Sequence, residues 1–372
     1  MLRARNAAVT RSLYDPHVHT QHLSIVAFRT LLTLAILLTA GSLARAQEPS
    51  PPPKPAPYKI SGLVFGDYYT FPQHHLEQWD GQHGLWLRRI YFTYDHTFSP
   101  DLAMRFRIEA NSNGKLAGGT LEPYVKDAYI RWRFAGRQRL TAGIQPSLTP
   151  EFVESIWGLR HIEKTPLDLY KLDSSRETGF TVSGPINDSG TLAYAAQFGN
   201  DSGNASETDK RKGYRLAARY ATDPGFSVEG LFGRSERAGD ADRTTWQVFG
   251  GYRGARLRTG ALYARQTRRA ADGSTAPDLD LDIFSGFGVF DIAADRTSAF
   301  VRVDRYDDPC PDCAGIDYLP IATTDPFTMT LTGIEYRLHP SVRVSPNVEW
   351  VKYGGAGPDD DLAARMTFYW VW

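Results

Sequence analysis

From Tyr58 onward, apolar and polar side chains alternate in segments of roughly ten residues, with turn-forming residues between them. In MRFRIEA, Met104, Phe106 and Ile108 share one face, and Arg105, Arg107 and Glu109 share the other. In KDAYIRWRF, Ala128, Ile130, Trp132 and Phe134 oppose Asp127, Tyr129, Arg131 and Arg133. In YRLAARY, Tyr214, Leu216, Ala218 and Tyr220 oppose Arg215 and Arg219. A helix would not sort these residues so cleanly, so the period of two predicts strands. Sixteen such segments begin near Tyr58, Gly84, Leu102, Pro123, Gln138, Glu177, Leu192, Gly213, Phe226, Thr244, Ala255, Asp280, Thr297, Phe327, Val342 and Leu362.

The connections alternate as well. Seven short ones, such as SPD, AGR and HPS, are interleaved with eight long ones. That asymmetry predicts a 16-stranded antiparallel transmembrane β-barrel spanning 58–372, with short periplasmic turns and long outer loops. The C-terminal MTFYWVW fits this fold. Ala364, Met366, Phe368, Trp370 and Trp372 would face lipid, while Arg365, Thr367 and Tyr369 would face inward. The terminal Trp372 is also a candidate signal for the outer-membrane assembly machinery. A soluble sandwich needs fewer strands than this.

Composition agrees. Aromatics make up 12% of the chain and there are 33 glycines, as many strands and turns require. The mean hydropathy of −0.38 excludes a bundle of membrane helices but not a barrel, where only every second residue must be apolar. Before the barrel, FRTLLTLAILLTAGSLARAQ joins Arg29 and an apolar run to Ala44-Arg45-Ala46, which reads as a secretory signal over 1–46. The run is short of the roughly 20 residues a membrane anchor needs. The 28 residues preceding the run, with His17, His19 and His22, are long for a leader and point to a start assigned too early. QEPSPPPKPAP follows as an extended linker over 47–57. The full chain has 42 residues of each charge; removing 1–46 takes five bases and one acid, leaving 37 against 41, net −4. Bulk charge therefore does not suggest nucleic-acid binding.

Cys310 and Cys313 are close enough for a small disulfide loop in an exported protein; zinc would need two more ligands and a thioredoxin-like site a βαβ context. No catalytic signature occurs, so no enzyme and no cofactor is expected. His74, His75 and His83 lie in the first long loop with Glu77 and Asp80, but in no known metal spacing, so the group reads as solvated and no metal is expected.

The third long loop, 146–176, is longer than a connection requires. Folded inward, Phe152, Ile156, Trp157 and Ile162 would pin a helical turn to the wall, and Arg160, His161, Lys164, Lys171 and Arg176 would line a constriction. The alternative is an outer lid. Inward-facing Arg89, Arg105, Arg107, Arg131, Arg133, Arg139, Arg215 and Arg219 are expected to line the pore together with Glu109 and Asp127. They either set a transverse field or pair with Glu109, Asp127 and Glu177 to stiffen the wall.

LRRIYFTYDHTFSPDLAMRFRIE, VKDAYIRWRF, AGIQPSLTPEFVESIWGLRHIEK and RETGFTVSG resemble the phosphate-selective porin O and P family. The resemblance rests on the pair Arg88 and Arg89, on Ala128-Tyr129, and on Arg176-Glu177-Thr178-Gly179 with Glu in place of Asp. RVDRYDD and GIEYRLHPSVRVSPNVEW extend it over most of 58–372. It implies a trimeric outer-membrane pore for anions, with phosphate as candidate solute. The family's cluster of constriction lysines is reduced here to Lys164 and Lys171. The expected function is passive diffusion of small hydrophilic solutes or anions across the outer membrane of a diderm bacterium. The expected surroundings are lipid, lipopolysaccharide and two further copies of the chain. A substrate-specific sugar or organic-acid channel, with Tyr91 and Tyr129 as a stacking path, and a non-conducting adhesive barrel are the alternatives.

Overall fold

A computed structural model describes residues 56–112, 119–223, 225–293, 296–307, 320–322 and 325–372. The leader, nearly all of the linker, and Cys310 and Cys313 lie outside the described residues.

Sixteen antiparallel strands close into one barrel, each paired with its sequence neighbours and β1 with β16. They are β1 Tyr58–Gln73, β2 His83–Ser99, β3 Leu102–Asn111, β4 Glu122–Ala135, β5 Gln138–Pro146, β6 Arg176–Pro185, β7 Leu192–Gly199 and β8 Gly213–Ala221. The second half comprises β9 Phe226–Ser235, β10 Arg243–Arg253, β11 Leu257–Arg268, β12 Leu279–Ala293, β13 Thr297–Tyr306, β14 Phe327–His339, β15 Val342–Tyr353 and β16 Asp361–Val371. Every strand begins within two residues of the start read from the alternation. The seam runs from Leu63 opposite Val371 to Gln73 opposite Leu362, and Gly62 and Trp372 exchange backbone hydrogen bonds of 3.1 Å. Closure leaves no unpaired edge, as a membrane demands. Ile130, Trp132, Leu216, Trp246, Phe284 and Met366 are exposed on the outer face.

Two of the register shifts set a cation as the extra residue. Phe65 pairs with Arg89 while Gly66 pairs with Leu87, so Arg88 is an extra residue on β2. Arg107 pairs with Asp127 while Ile108 pairs with Val125, so Lys126 is an extra residue on β4. In each case both adjacent residues are buried: Arg88 with Arg89, and Lys126 with Asp127. A bulge sets two residues against one, which lets neighbours share a face.

The hydrophobic core lies inside the barrel. The third loop folds into the lumen, with helix α1 over Leu148–Trp157 and a short turn, α2, over Pro166–Leu169. Pro150 sits in the first turn of α1, where its missing N–H costs nothing. Gly158 stops the helix at φ 68°, a left-handed conformation that favours glycine. Trp157 packs edge-on to Phe287 and Phe300 at 5.1 and 6.2 Å, Phe152 meets Phe249 at 5.8 Å, and Tyr170 meets Phe327 at 5.4 Å. Leu159, Ile162 and Leu169 are fully buried. The inner faces of β10–β14 are therefore apolar as well: Leu262, Ile283, Val289, Met329 and Leu331 are buried beneath the loop. Each such side chain contributes about 1.5–3 kcal/mol on burial. The lumen is consequently split into a dry half, filled by the loop, and a polar half that is lined mainly from β2–β9 on the loop side and reaches β10–β15 at the turn end.

Candidate functional site at the waist of the lumen

Four consecutive loop residues are held individually by the barrel. His161 Nε2 lies 2.6 Å from Glu335, and its ring stacks on Tyr369. Arg88 donates to the carbonyls of His161 and Ile162, the latter at 3.1 Å, and keeps Asp67 at 2.9 Å. Glu163 receives Arg365 at 3.4 Å. Arg302 donates to the Lys164 carbonyl and pairs with Asp304. Burying these charges is costly, and only complete pairing offsets the loss of water. Their arrangement fixes the loop's position in the lumen.

A second ion-pair network surrounds Tyr91. Glu109 accepts Arg89 at 2.7 Å and also Lys126. Asp127 accepts Arg107 at 3.2 Å and Arg176 at 2.5 Å. Arg107 and Lys126 stand over the Tyr91 ring at 5.4 and 5.5 Å. From the loop, Arg160 bridges Glu154 at 3.1 Å and Asp168 at 3.3 Å, and Lys164 lies 3.8 Å from Asp168. Burial works to raise the Asp168 carboxyl, but Lys164 and Arg160 outweigh it and hold it at about 2. Burial also lowers His161 against the pull of Glu335, and raises Glu151 against Arg131 and Arg219.

The other wall residues are distributed along the lumen. Arg215 gathers Asp173, Glu177 and Asp201 at 2.6, 2.8 and 2.9 Å. Arg219 pairs with Glu229 at 2.6 Å. Arg105 pairs with Asp95 and Arg133 with Asp101, both at 2.7 Å and both toward the turn end, away from the waist. Arg131 lies over Tyr129 at 5.3 Å, and Arg139 lines the same cavity as Arg131. Among the loop residues, Lys164, Lys171 and Arg176 border the loop-side cavity and Arg160 the cavity below it, while His161 is buried against the wall.

Three cavities occupy the polar half. One of about 360 Å³ lies on the loop side and one of about 770 Å³ toward the turns; Ser175 and Arg176 border both and form the waist between them. The third, of about 550 Å³, adjoins the turn-side cavity through Glu151 and Ser155. Cations outnumber anions around all three: nine to three, seven to four, and four to two. The reason is geometric. Around the first two, Glu109, Asp127 and Glu177 are fully buried behind the arginines and lysines they neutralise; around the third, Glu151 and Glu229 line the cavity themselves.

Strict alternation missed Lys126 and Arg88. The signal was available for Lys126: with Asp127 inward, alternation turns Lys126 into the lipid, where a lysine costs about 2–4 kcal/mol at mid-membrane. That conflict marks the bulge. Two of the first-loop histidines depart from the solvated reading, while His83, Glu77 and Asp80 are exposed as expected. His74 is buried, and His75 Nδ1 lies 2.8 Å from Asp361 at the start of β16. His83 points elsewhere, to the Tyr68 hydroxyl at 3.1 Å.

No family model matches the chain, and no curated protein matches it. Solved structures do. An anion-selective porin from Comamonas acidovorans is 10% identical, covering 85% of this chain and 99% of its own, with a TM-score of 0.63. Salmonella typhi OmpF in complex with daunomycin is 12% identical over 84% and 97%, at 0.61. The trimer form of in-vitro folded OmpT from Vibrio cholerae is 14% identical over 85% and 99%, at 0.58. At these identities the likeness is one of fold. A closed sixteen-stranded barrel with an apolar outer face is a structure of the outer membrane.

Proposed function

We propose that the protein is an outer-membrane channel for passive diffusion of small hydrophilic solutes, with a mild preference for anions. The observation carrying this reading is the excess of cations around all three lumen cavities, with Glu109, Asp127 and Glu177 buried away from them. Such a lining raises the local anion concentration, and Arg176 borders two of the cavities at the waist. The carboxylates that face the cavities keep the preference mild.

A tight phosphate site is less well supported. Lys126 is engaged by Glu109 and Lys164 lies beside Asp168, so neither resembles an open lysine cluster. Membership of the phosphate-selective porin O and P family remains a proposal resting on the motifs.

A homotrimer fits the outer surface. Gly250, Ala261 and Gly286 lie in register across β10, β11 and β12, and a Cβ added at Gly250 or Gly286 meets nothing within 4 Å. A flat strip of this kind lets another barrel approach closely. Lipid and lipopolysaccharide would cover the rest, and Trp372 would be read by the assembly machinery.

Single-channel recording in a planar bilayer under a salt gradient tests the reading. An anion-directed reversal potential is expected. A cation-directed potential overturns the selectivity, and an inserted barrel without current points to an adhesive or structural role. Saturable block by phosphate, a sugar or an organic acid would favour a substrate-specific channel. Cross-linking in detergent should give a trimer.

A further inference from the structure

The mouth of the barrel holds a group of side chains that conduction does not use. His74 and His75 follow β1, and Asp361 opens β16, 286 residues beyond His75. Closure of the β1–β16 seam brings them together, and their donor atoms all lie within 4.8 Å of one another. We propose that His74, His75 and Asp361 form a binding site for a divalent transition ion of the zinc class, tying the first loop to the first residue of the last strand.

Two imidazoles and one carboxylate are a donor set for Zn²⁺ or a similar borderline ion, with the fourth position left to water. Metal–nitrogen and metal–oxygen distances of about 2.0–2.2 Å place tetrahedral donors about 3.4 Å apart. His75 Nδ1 is 2.8 Å from Asp361 Oδ2, and His74 Nδ1 is 3.6 Å from Asp361 Oδ1. Both separations reach the required value by shifts of about 0.6 Å or less. The adjustment falls on side chains of a loop.

The surroundings orient the donors. The Tyr353 hydroxyl donates to Asp361 Oδ2 at 2.5 Å, and the His75 backbone N–H donates to Oδ1 at 2.7 Å. The Leu76 N–H donates to His74 Nδ1 at 3.0 Å, which places the ring proton on Nε2; an ion bound at Nδ1 replaces this hydrogen bond as the acceptor of that lone pair. Asp80 accepts from the His74 backbone at 3.0 Å, which holds the loop in place. Phe71 meets the His74 ring edge-on at 5.3 Å and Tyr353 meets His75 at 5.5 Å, giving the site an aromatic wall that limits water. The ion would take the place of the proton between His75 Nδ1 and Asp361, leaving that ring neutral with its proton on Nε2. Coupled orienting bonds of this kind are what metal sites use to fix their ligands.

The test uses the full chain, folded in detergent, without a histidine tag and stripped with EDTA. Zinc chloride is titrated calorimetrically into this protein and into His74→Ala, Asp361→Asn and, as a control, His83→Ala. The expected result is one ion per barrel, bound at least about tenfold more weakly by the first two variants and unchanged in the control. Equal affinity in His74→Ala, as ions held by His17, His19 and His22 would give, overturns the site. So does absence of stoichiometric binding. Should the variants fail to fold, Co²⁺ added to the unaltered protein decides: an intense tetrahedral visible spectrum, abolished by excess Zn²⁺ and accompanied by a higher unfolding temperature, supports the site. An octahedral spectrum or no thermal shift overturns it.

Discussion

Arg365 of β16 reaches Glu163 of the third loop at 3.4 Å while its second terminal nitrogen holds Glu349 of β15 at 2.7 Å. One guanidinium thus ties the seam strand, its neighbour and the constriction together, and all three side chains are buried. Arg365→Ala would remove from two buried carboxylates the guanidinium that pairs with both. A loss of about 3–5 kcal/mol is expected. It should appear as a lower unfolding temperature and as proteolysis within 147–175. Conductance should rise as the loop detaches; unchanged conductance and protection would refute this anchoring role.

Trp157 anchors the dry half of the lumen against Phe287 and Phe300. Trp157→Ala should cost about 3–5 kcal/mol, as truncation of a large buried aromatic does. The strand registers should survive. Circular dichroism should therefore retain its β signature while thermal melting shifts downward.

At the waist, Arg176 shares Asp127 with Arg107. Arg176→Gln removes one cation and leaves Asp127 paired with Arg107. The reversal potential in a salt gradient should move toward cations, and the shift should shrink as salt is raised and screening shortens. A potential that stays put would remove Arg176 from the selectivity mechanism.

The loop also responds to acid. Asp168 is held at about 2, below the ordinary value of about 3.9. A depressed carboxyl contributes stability that is fully present above its unfolded value and is lost as pH falls through the folded one. The Asp168 contribution should therefore fade between about pH 4 and about pH 2. His161, lowered by burial, acts in the same direction at higher pH: its neutral form fits the fold, so stability falls on acidification below its unfolded value of about 6.5. Asp168→Asn should flatten the lower limb of the stability–pH curve only. Parallel curves for the two proteins below pH 4 would contradict this assignment.

Strands were legible because the signal is local. A period of two needs only neighbouring residues, and lipid outside with water inside enforces it, so the strand starts and the alternating connection lengths could be read from the chain. Alternation fails where tertiary contacts alter the environment. Lys126 turns inward because a bulge brings it to Glu109, and Leu281, Ile283 and Met329 face inward because the loop covers them. No local pattern specifies that cover, although LDLDIFSGFGVF, apolar on both faces, carries its trace.

The sequence by itself determined the strands, their order and the outward apolar face, since each depends on side-chain alternation and connection length. Tertiary structure alone decided which charges meet. Arg365 reaches Glu163, 202 residues away, and His75 reaches Asp361, 286 residues away, only because the barrel closes and the loop enters it. The pairing of a buried charge is a property of the space it occupies, and closure creates that space.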